Sequence, residues 1–370
     1  MPKKPIKIFI IAGEVSGDVL GAKIMREMPD VEFVGIGGQH MIGMGLKSLF
    51  PMSDLSVIGI FEVLAHARTL TQRINQTVDA IVAEKPDVVL TIDSPGFAKS
   101  VVKKVRKQNI SKSMRFYHVV APQVWAWGKN RAKKYAKTFD KLYAFFDFEV
   151  PYFTKYGLNT VAVGHPIAEG LDKYQPQQTK EKIIALVPGS RMNEVKKLLP
   201  VFKKTVNLLD MCGYKDYKYV IPTVETTDAY IKSQVKTWKN QPKIISANQR
   251  YDLYANTYIA VVASGTVSAE LAIMHIPTIV VYKMNPLTVL LAHILLKIKW
   301  VSLVNILMNK TIYPELLGKN ATPYNIMNSI QQLTLPSVRK QMIADLVAAD
   351  CQWRQDNKNP ATVIVNDILK

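Results

Sequence analysis

Short apolar runs rich in β-branched residues alternate with helix-periodic stretches along most of the chain. In the first half the runs fall at residues 7–12, 33–36, 88–92, 115–119, 142–146 and 160–163, with periodic segments such as 19–28 and 60–82 between them. Strands alternating with helices predict a parallel sheet covered on both faces. The alternation lapses around residues 167–180, where Gln175-Pro176-Gln177-Gln178 reads as a linker. It resumes at 182–187 and continues through 217–221, 243–245, 258–262 and 278–282. The pattern predicts an α/β protein of two doubly wound, Rossmann-like domains, and 370 residues suit two domains. The expected division is 1–166, a linker at 167–180, and 181–345, followed by C-terminal helices over 346–370.

Two apolar stretches invite a membrane reading. The first, Ile8 to Ala12 behind lysines, stops at Glu14 and is too short for a secretory signal; it reads as a buried first strand. The second, 287–308, is interrupted by His293, Lys297 and Lys299, so it reads as a buried or interfacial helix rather than a span.

Charge changes the picture more than composition does. Lys and Arg outnumber Asp and Glu by 48 to 29, a formal +19, which points to an anionic partner. The excess is concentrated: residues 94–139 hold twelve Lys or Arg and no Asp or Glu. The end of that stretch, Trp125-Ala126-Trp127-Gly128-Lys129-Asn130-Arg131-Ala132-Lys133-Lys134, sets aromatics beside cations. It suits a membrane interface or stacked single-stranded nucleic acid, and equally an aromatic hinge beside a solvated lysine face. Two cysteines, Cys212 and Cys351, exclude a disulfide scaffold and suit a reducing compartment. The six histidines show no metal-ligand spacing, and Asp147-Phe148-Glu149 only approaches the Asp-x-Asp of metal-dependent transferases, so no metal is expected.

In open α/β sheets, ligands bind beyond the carboxyl ends of the strands, so the loops after the strands are where chemistry is sought, with the two domains facing a cleft. After the first strand comes Gly13-Glu14-Val15-Ser16-Gly17-Asp18. It is neither a dinucleotide fingerprint nor a Walker loop; it reads as a turn capped by Ser16 or Asp18, or as a substrate loop that brings Glu14 to the cleft. Asp93, before Ser94-Pro95-Gly96, is either a turn residue or a general base. Pro188-Gly189-Ser190-Arg191 opens a helix, whose free N–H groups and dipole attract phosphate, and Arg191 adds a fixed charge. Ala263-Ser264-Gly265-Thr266 opens a second helix, with Glu270 one turn further on the same face as Thr266, placed for ribose hydroxyls. The periodic segment 60–82 marks an amphipathic helix whose stripe is core or docking face.

Together these segments resemble the lipid-A-disaccharide synthases, inverting glycosyltransferases. The resemblance runs through Gly13 to Asp18, Val57-Ile58-Gly59-Ile60-Phe61-Glu62-Val63-Leu64, Ile92-Asp93-Ser94-Pro95, Val124-Trp125-Ala126-Trp127, Val163-Gly164-His165-Pro166, Pro188 to Arg191, Ala263 to Thr266 with Glu270, and Val301-Ser302-Leu303-Val304-Asn305. It implies a GT-B fold whose C-terminal helices cross back onto the first domain. It also implies the reaction: UDP-2,3-diacylglucosamine donates its sugar to 2,3-diacylglucosamine 1-phosphate, giving a β(1→6) tetraacyl disaccharide phosphate and UDP, with no metal and no cofactor.

By the same resemblance Asp93 is the base, Arg191 meets the leaving diphosphate, and Glu14 is a further catalytic candidate. Gly189, Ser190, Arg191, Ser264, Gly265, Thr266, Glu270 and Asn305 hold UDP in the second domain. Ser16, Gly17 and Trp127 belong to the acceptor or sugar side in the first domain. One departure stands out: the family often continues the Asp-x-Pro motif with Asp-Phe-Asn, and here Gly96-Phe97-Ala98 follows.

Acylated, phosphorylated substrates lie in a membrane leaflet. The expected location is therefore cytoplasmic and peripheral on the anionic inner membrane, with Val63, Leu64, Leu70, Lys129, Arg131, Lys133 and Lys134 as contacts. The surplus hydrophobic helices suit a homodimer. No nucleic-acid partner is expected, since that reading rests on charge alone. The rival enzymes, a muramoyl-peptide N-acetylglucosaminyltransferase and UDP-sugar 2-epimerases, share the fold and diphosphate loops but not the Trp-Ala-Trp segment or the first glycine loop.

Overall fold

The computed structural model describes residues 6–55, 67–108, 112–126, 128, 130–171, 173–174, 181–283, 299–354 and 359–370. The chain divides into two compact units, 1–166 with 354–370, and 167–353. Within the described residues, each unit is built around a six-stranded sheet in which all the strands are parallel.

The first unit runs β1 (Lys7–Ala12), α1 (Val15–Arg26), β2 (Glu32–Ile36), α2 (Gln39–Gly43), α3 (Ala67–Glu84), β3 (Val88–Ile92), α4 (Pro95–Val105), β4 (Arg115–Val119), α5 (Asn130–Ala136), β5 (Lys141–Ala144), α6 (Val150–Thr154) and β6 (Asn159–Ala162). Its sheet order is β2-β1-β3-β4-β5-β6. The chain moves one way from β1 to β2 and then crosses to the other side for β3, so the topological switch lies between β1 and β3. Strands buried on both faces explain the unbroken apolar runs: all five residues of β3 are buried.

The second unit runs β7 (Lys182–Val187), α7 (Met192–Met211), β8 (Tyr217–Thr223), α8 (Glu225–Val235), β9 (Lys243–Ser246), α9 (Arg250–Ala255), β10 (Thr257–Ala263), α10 (Thr266–Ile273), β11 (Thr278–Tyr282), α11 (Leu303–Met308), β12 (Glu315–Leu317), α12 (Pro323–Thr334) and α13 (Pro336–Arg354). Its order, β12-β11-β10-β7-β8-β9, puts its switch between β7 and β10. Strand β12 has no counterpart in the sequence reading. Three residues are too few for a period-2 pattern, and only pairing with β11 defines them.

The last helix, α14 (Pro360–Ile368), returns to the first unit. Ala361, Ile364, Val365 and Ile368 enter the core formed by Leu20, Ile24 and Leu90 on one side of the sheet. Asp367 accepts from the Tyr143 hydroxyl at 2.7 Å and pairs with Lys141. The return comes at Arg354, later than the expected 346. Most of α13 stays with the second unit, where Asp345 pairs with Lys310 at 2.8 Å and Asp350 lies 3.9 Å from His275.

The stripe expected over 60–82 is core where it is described. Val78 and Ile81 are buried in the other core of the first unit, and Leu70 and Ile74 pack against it. Leu70, expected as a membrane contact, is half-buried on that helix. Val63 and Leu64 lie outside the described residues, as does 284–298 of the second apolar stretch. Among the described residues no helix is long and apolar enough to cross a membrane.

Candidate active site

Each switch point is lined by the loops that the sequence singled out. In the first unit, the loop after β1 lies against the loop after β3. A Cβ on Gly13 would come within 1.8 Å of the Ser94 Oγ, so only glycine permits this approach. Asp93 and Ser94 adopt left-handed backbone, with φ of +58° and +44°. Non-glycine residues in that region cost about 1–3 kcal/mol and persist where their surroundings impose them. Here the Asp93 N–H donates to the Val119 carbonyl at 3.1 Å, and the Ser94 N–H donates to Asp93 Oδ1 at 2.8 Å. The Asp93 side chain is thereby fixed at the mouth of the switch.

Burial pushes the Asp93 carboxyl above the usual carboxylate range, against the opposing Ser94 hydrogen bond. Glu14 is raised as well, first by burial and then by the negative charge of Asp93. The Asp93 charge thus reaches Glu14, which places the two carboxyl groups within electrostatic range of each other at this strand-end crevice. Ser16 is exposed beside them.

Other residues of this loop serve packing. Gly17 is buried, and a Cβ there would lie 3.3 Å from Ile92 Cγ2, so it seats α1 on β3 instead of facing a ligand. Neither Ser16 nor Asp18 caps α1. The Asp18 carboxylate instead accepts from the backbone N–H groups of Gly38, His40 and Met41 at 2.7–3.1 Å, closing the start of α2. In Gly96-Phe97-Ala98, Gly96 is exposed with open space around it, whereas Phe97 and Ala98 are core. A polar side chain at 98 would need a partner inside that core.

In the second unit the switch brings the loops after β7 and β10 together. Gly189 has φ +99°, and a Cβ there would meet Glu194 Oε2 at 2.5 Å and Ala263 Cβ at 3.4 Å. Ser190 and Arg191 are exposed at the start of α7, and Arg191 Nη1 donates to Glu194 Oε1 at 3.1 Å. Across the crevice Ser264 is half-buried, while Gly265 and Thr266 are exposed at the start of α10. Two helix N-termini thus open on one crevice, an arrangement suited to a diphosphate.

Glu270 is buried one turn into α10. Its Oε1 accepts from the Tyr251 hydroxyl at 3.0 Å and from Arg250 Nη2 at 3.4 Å, and its Oε2 is buried with no hydrogen-bond partner. An orphaned acceptor beside a fixed one suits a ligand hydroxyl. Arg250 and Tyr251 were not singled out from the sequence, because they come from the start of α9 and only the fold brings them to Glu270.

Asn305 does something different from the expected nucleotide contact. It is fully buried. Its Nδ2 donates to the Tyr313 carbonyl at 2.8 Å and to Glu315 Oε1 at 2.9 Å, and its Oδ1 accepts from the N–H groups of Ile312 and Tyr313 at 2.8 and 2.9 Å. Those bonds use both its donors and both its lone pairs. Asn305 ties α11 to β12 and has no capacity left for a ligand.

The basic stretch is partly described. Trp127 and Lys129 lie outside the described residues. Lys133 is exposed on α5, and Arg131 and Lys134 line a cavity with residues of α4. Trp125 is half-buried, its Nε1 3.4 Å from the buried Glu149. Glu149 also accepts from the Phe146 N–H at 3.3 Å, so the Asp147-Phe148-Glu149 segment closes a turn. Among the described residues no group of three His, Cys, Asp or Glu is placed to hold a metal ion.

A family profile described as lipid-A-disaccharide synthetase matches residues 8–361. The chain belongs to that family. It is 36% identical to the lipid-A-disaccharide synthase of Rhodospirillum centenum, over 99% of this chain and 96% of the relative. It is 38% identical to that of Rickettsia canadensis, over 91% and 90%. Membership makes it a glycosyltransferase of lipid A assembly. Solved structures share the fold at low identity. Acinetobacter baumannii MurG superposes with a TM-score of 0.63 at 13% identity, covering 99% of both chains. A UDP co-structure of S. aureus MnaA gives 0.62 at 14%, covering 99% of this chain and 96% of that one. Two parallel Rossmann-like sheets in this order are the GT-B architecture expected of a lipid-A-disaccharide synthetase.

Proposed function

We propose that the chain transfers 2,3-diacylglucosamine from its UDP derivative to the 6-hydroxyl of 2,3-diacylglucosamine 1-phosphate, with inversion. The observation that carries the assignment of roles is Asp93, held in strained backbone at the first unit's switch with its carboxyl raised by burial. A raised carboxyl is a better proton acceptor than an ordinary one at the moment of transfer.

The step is one displacement. Asp93 takes the proton of the acceptor 6-hydroxyl as its oxygen bonds to the donor's anomeric carbon. The bond from that carbon to the diphosphate breaks, and its electron pair leaves on UDP. Charge growing on the diphosphate is met by Arg191 and by the N–H groups at the starts of α7 and α10, an electrostatic contribution of the oxyanion-hole type. Gly189, Ser190, Ser264, Gly265 and Thr266 line that diphosphate, and Glu270 accepts from the ribose hydroxyls. Glu14 and Ser16 line the acceptor side, with Glu14 tuning Asp93. The first unit supplies the base, and the second binds the nucleotide.

The formal +19 charge and the acyl chains of both substrates support retention at the anionic face of the inner membrane. Lysines near such a surface contribute about 1 kcal/mol each.

Single-turnover transfer with wild type and Asp93→Ala tests the reading. Product from wild type with a loss of ~100-fold or more in the variant is the expected result. Similar rates in both would remove Asp93 from the chemistry and move the base to Glu14.

A further inference from the structure

Outside the two switch loops, basic side chains of the first unit converge on one cavity. It has a volume of about 60 Å³ and is lined by Pro95, Gly96, Lys99, Arg131, Lys134 and Tyr135. That is several times the ~10–15 Å³ that one water needs, enough for a tetrahedral anion. Three of the six lining residues are cations, drawn from α4 and α5, and none is acidic. Gathering them is unfavourable. Partial burial, together with the charges of Lys103, Lys134 and Arg131, holds the Lys99 ammonium below the ordinary lysine value. A cluster of like charge around an open cavity is relieved by a bound anion of opposite charge.

The cavity adjoins the proposed base. Tyr135 lies on its wall, donates its hydroxyl to the Pro95 carbonyl at 3.3 Å, and is close enough to feel the charges of both Arg131 and Asp93. Pro95 is two residues from Asp93 and begins α4. An anion seated among Lys99, Arg131 and Lys134 therefore sits on the same strand-end as the carboxylate that accepts the proton.

We infer that this cavity binds a phosphate monoester, and that during transfer the monoester is the 1-phosphate of the acceptor sugar. The second half rests on the reading under Proposed function. In a glucosamine 1-phosphate, C1 and C5 flank the ring oxygen and C6 hangs from C5. The phosphate and the 6-hydroxyl therefore share one edge of the ring. A phosphate site beside the base for the 6-hydroxyl fixes the acceptor at two points of that edge. A monoester dianion also uses three cations better than the single charge of a phospholipid diester does.

The test compares wild type with Lys99→Gln, Lys134→Gln and the double variant, each with an unchanged melting temperature. The expected result is a KM for 2,3-diacylglucosamine 1-phosphate raised about tenfold or more, as for loss of one charge-assisted bond. The KM for the UDP-sugar and binding to phosphatidylglycerol vesicles stay as in wild type, and Lys134→Arg restores most of the acceptor affinity. Loss of vesicle binding with an unchanged acceptor KM would assign the cations to lipid headgroups and overturn the proposal; no change in either would overturn it as well. Titration with glucosamine 1-phosphate judges the cavity apart from the reaction. If wild type transferred nothing, the functional reading would fall, yet saturable binding lost in the double variant would keep the phosphate site.

Discussion

The Ser94 hydroxyl occupies the space that a side chain at Gly13 would need, with Oγ 1.8 Å from where that Cβ would lie. The two residues follow neighbouring strands at the switch, and Ser94 is the residue next to Asp93. Gly13→Ala therefore forces the β3–α4 loop to move. We expect a loss of about 1–3 kcal/mol in stability from overpacking and a fall in kcat of at least tenfold, since misplacing a base by a fraction of an ångström is costly. Pairing Gly13→Ala with Ser94→Gly, which removes the obstructing side chain, recovers part of kcat. A double variant no better than the single would show that the contact does not position Asp93.

Acid–base coupling at the same crevice is visible in the pH profile. Burial raises Asp93 above an ordinary aspartate near 3.9, so transfer falls away on acidification at a higher pH than that value. The Asp93 charge raises Glu14, and coupling is reciprocal. Glu14→Gln removes a negative neighbour, which makes ionised Asp93 easier to form and moves the acid limb to lower pH. An acid limb of kcat/KM that does not move in Glu14→Gln separates the two carboxylates.

Asn305 separates a structural role from a ligand role. Removing its amide leaves the backbone groups of Ile312 and Tyr313 and the carboxylate of Glu315 without their partner. Asn305→Ala is expected to cost at least about 2 kcal/mol, read as a shift of the urea midpoint. A direct nucleotide contact would instead raise the KM for the UDP-sugar at unchanged stability.

Glu270 relies on neighbours for its orientation. Tyr251→Phe removes the 3.0 Å bond to Oε1 and lets the carboxylate turn. The expected outcome is a KM for the UDP-sugar raised about threefold to tenfold with kcat little changed, because a net hydrogen bond is worth ~1 kcal/mol. A drop in kcat at constant KM would place Tyr251 in the chemical step.

Glu149 gives the fold its own pH dependence. Burial raises its carboxyl from 4.5 to about 7 in the folded protein. Below pH 4.5 both folded and unfolded chains hold the proton. Between 4.5 and 7 only the folded chain does, so stability falls as pH rises through this window, by about 3 kcal/mol in all. Glu149→Gln flattens this dependence in denaturant melts at pH 4.5 and 8. An equally steep profile in the variant would assign the dependence to another group.

Periodicity and turn chemistry were enough to place most strands and the loops that follow them. Strands β1, β3, β4, β7 and β11 coincide with the apolar runs, because a strand buried on both faces is predominantly apolar. Loop residues such as Asp93, Gly189 and Ser264 were legible because a position after a parallel strand is already a position at the ligand edge. Side-chain destinations were not legible. The Asp18 carboxylate closes another helix instead of capping its own, and Asn305 holds a loop instead of a nucleotide. In each case the deciding partner lies elsewhere in the fold.

Sequence alone thus determined the alternation of strands and helices, the two Rossmann-like sheets, the glycine loops and the family. These depend on local propensity, on period and on short motifs, which one chain carries in its order. Tertiary structure decided which loops meet at each switch, that Arg250 and Tyr251 hold Glu270, and that Lys99, Arg131 and Lys134 surround one cavity beside Tyr135. Those contacts join α9 to α10 and α4 to α5 and depend on strand order. Parallel crossover connections fix that order only once the whole sheet has assembled.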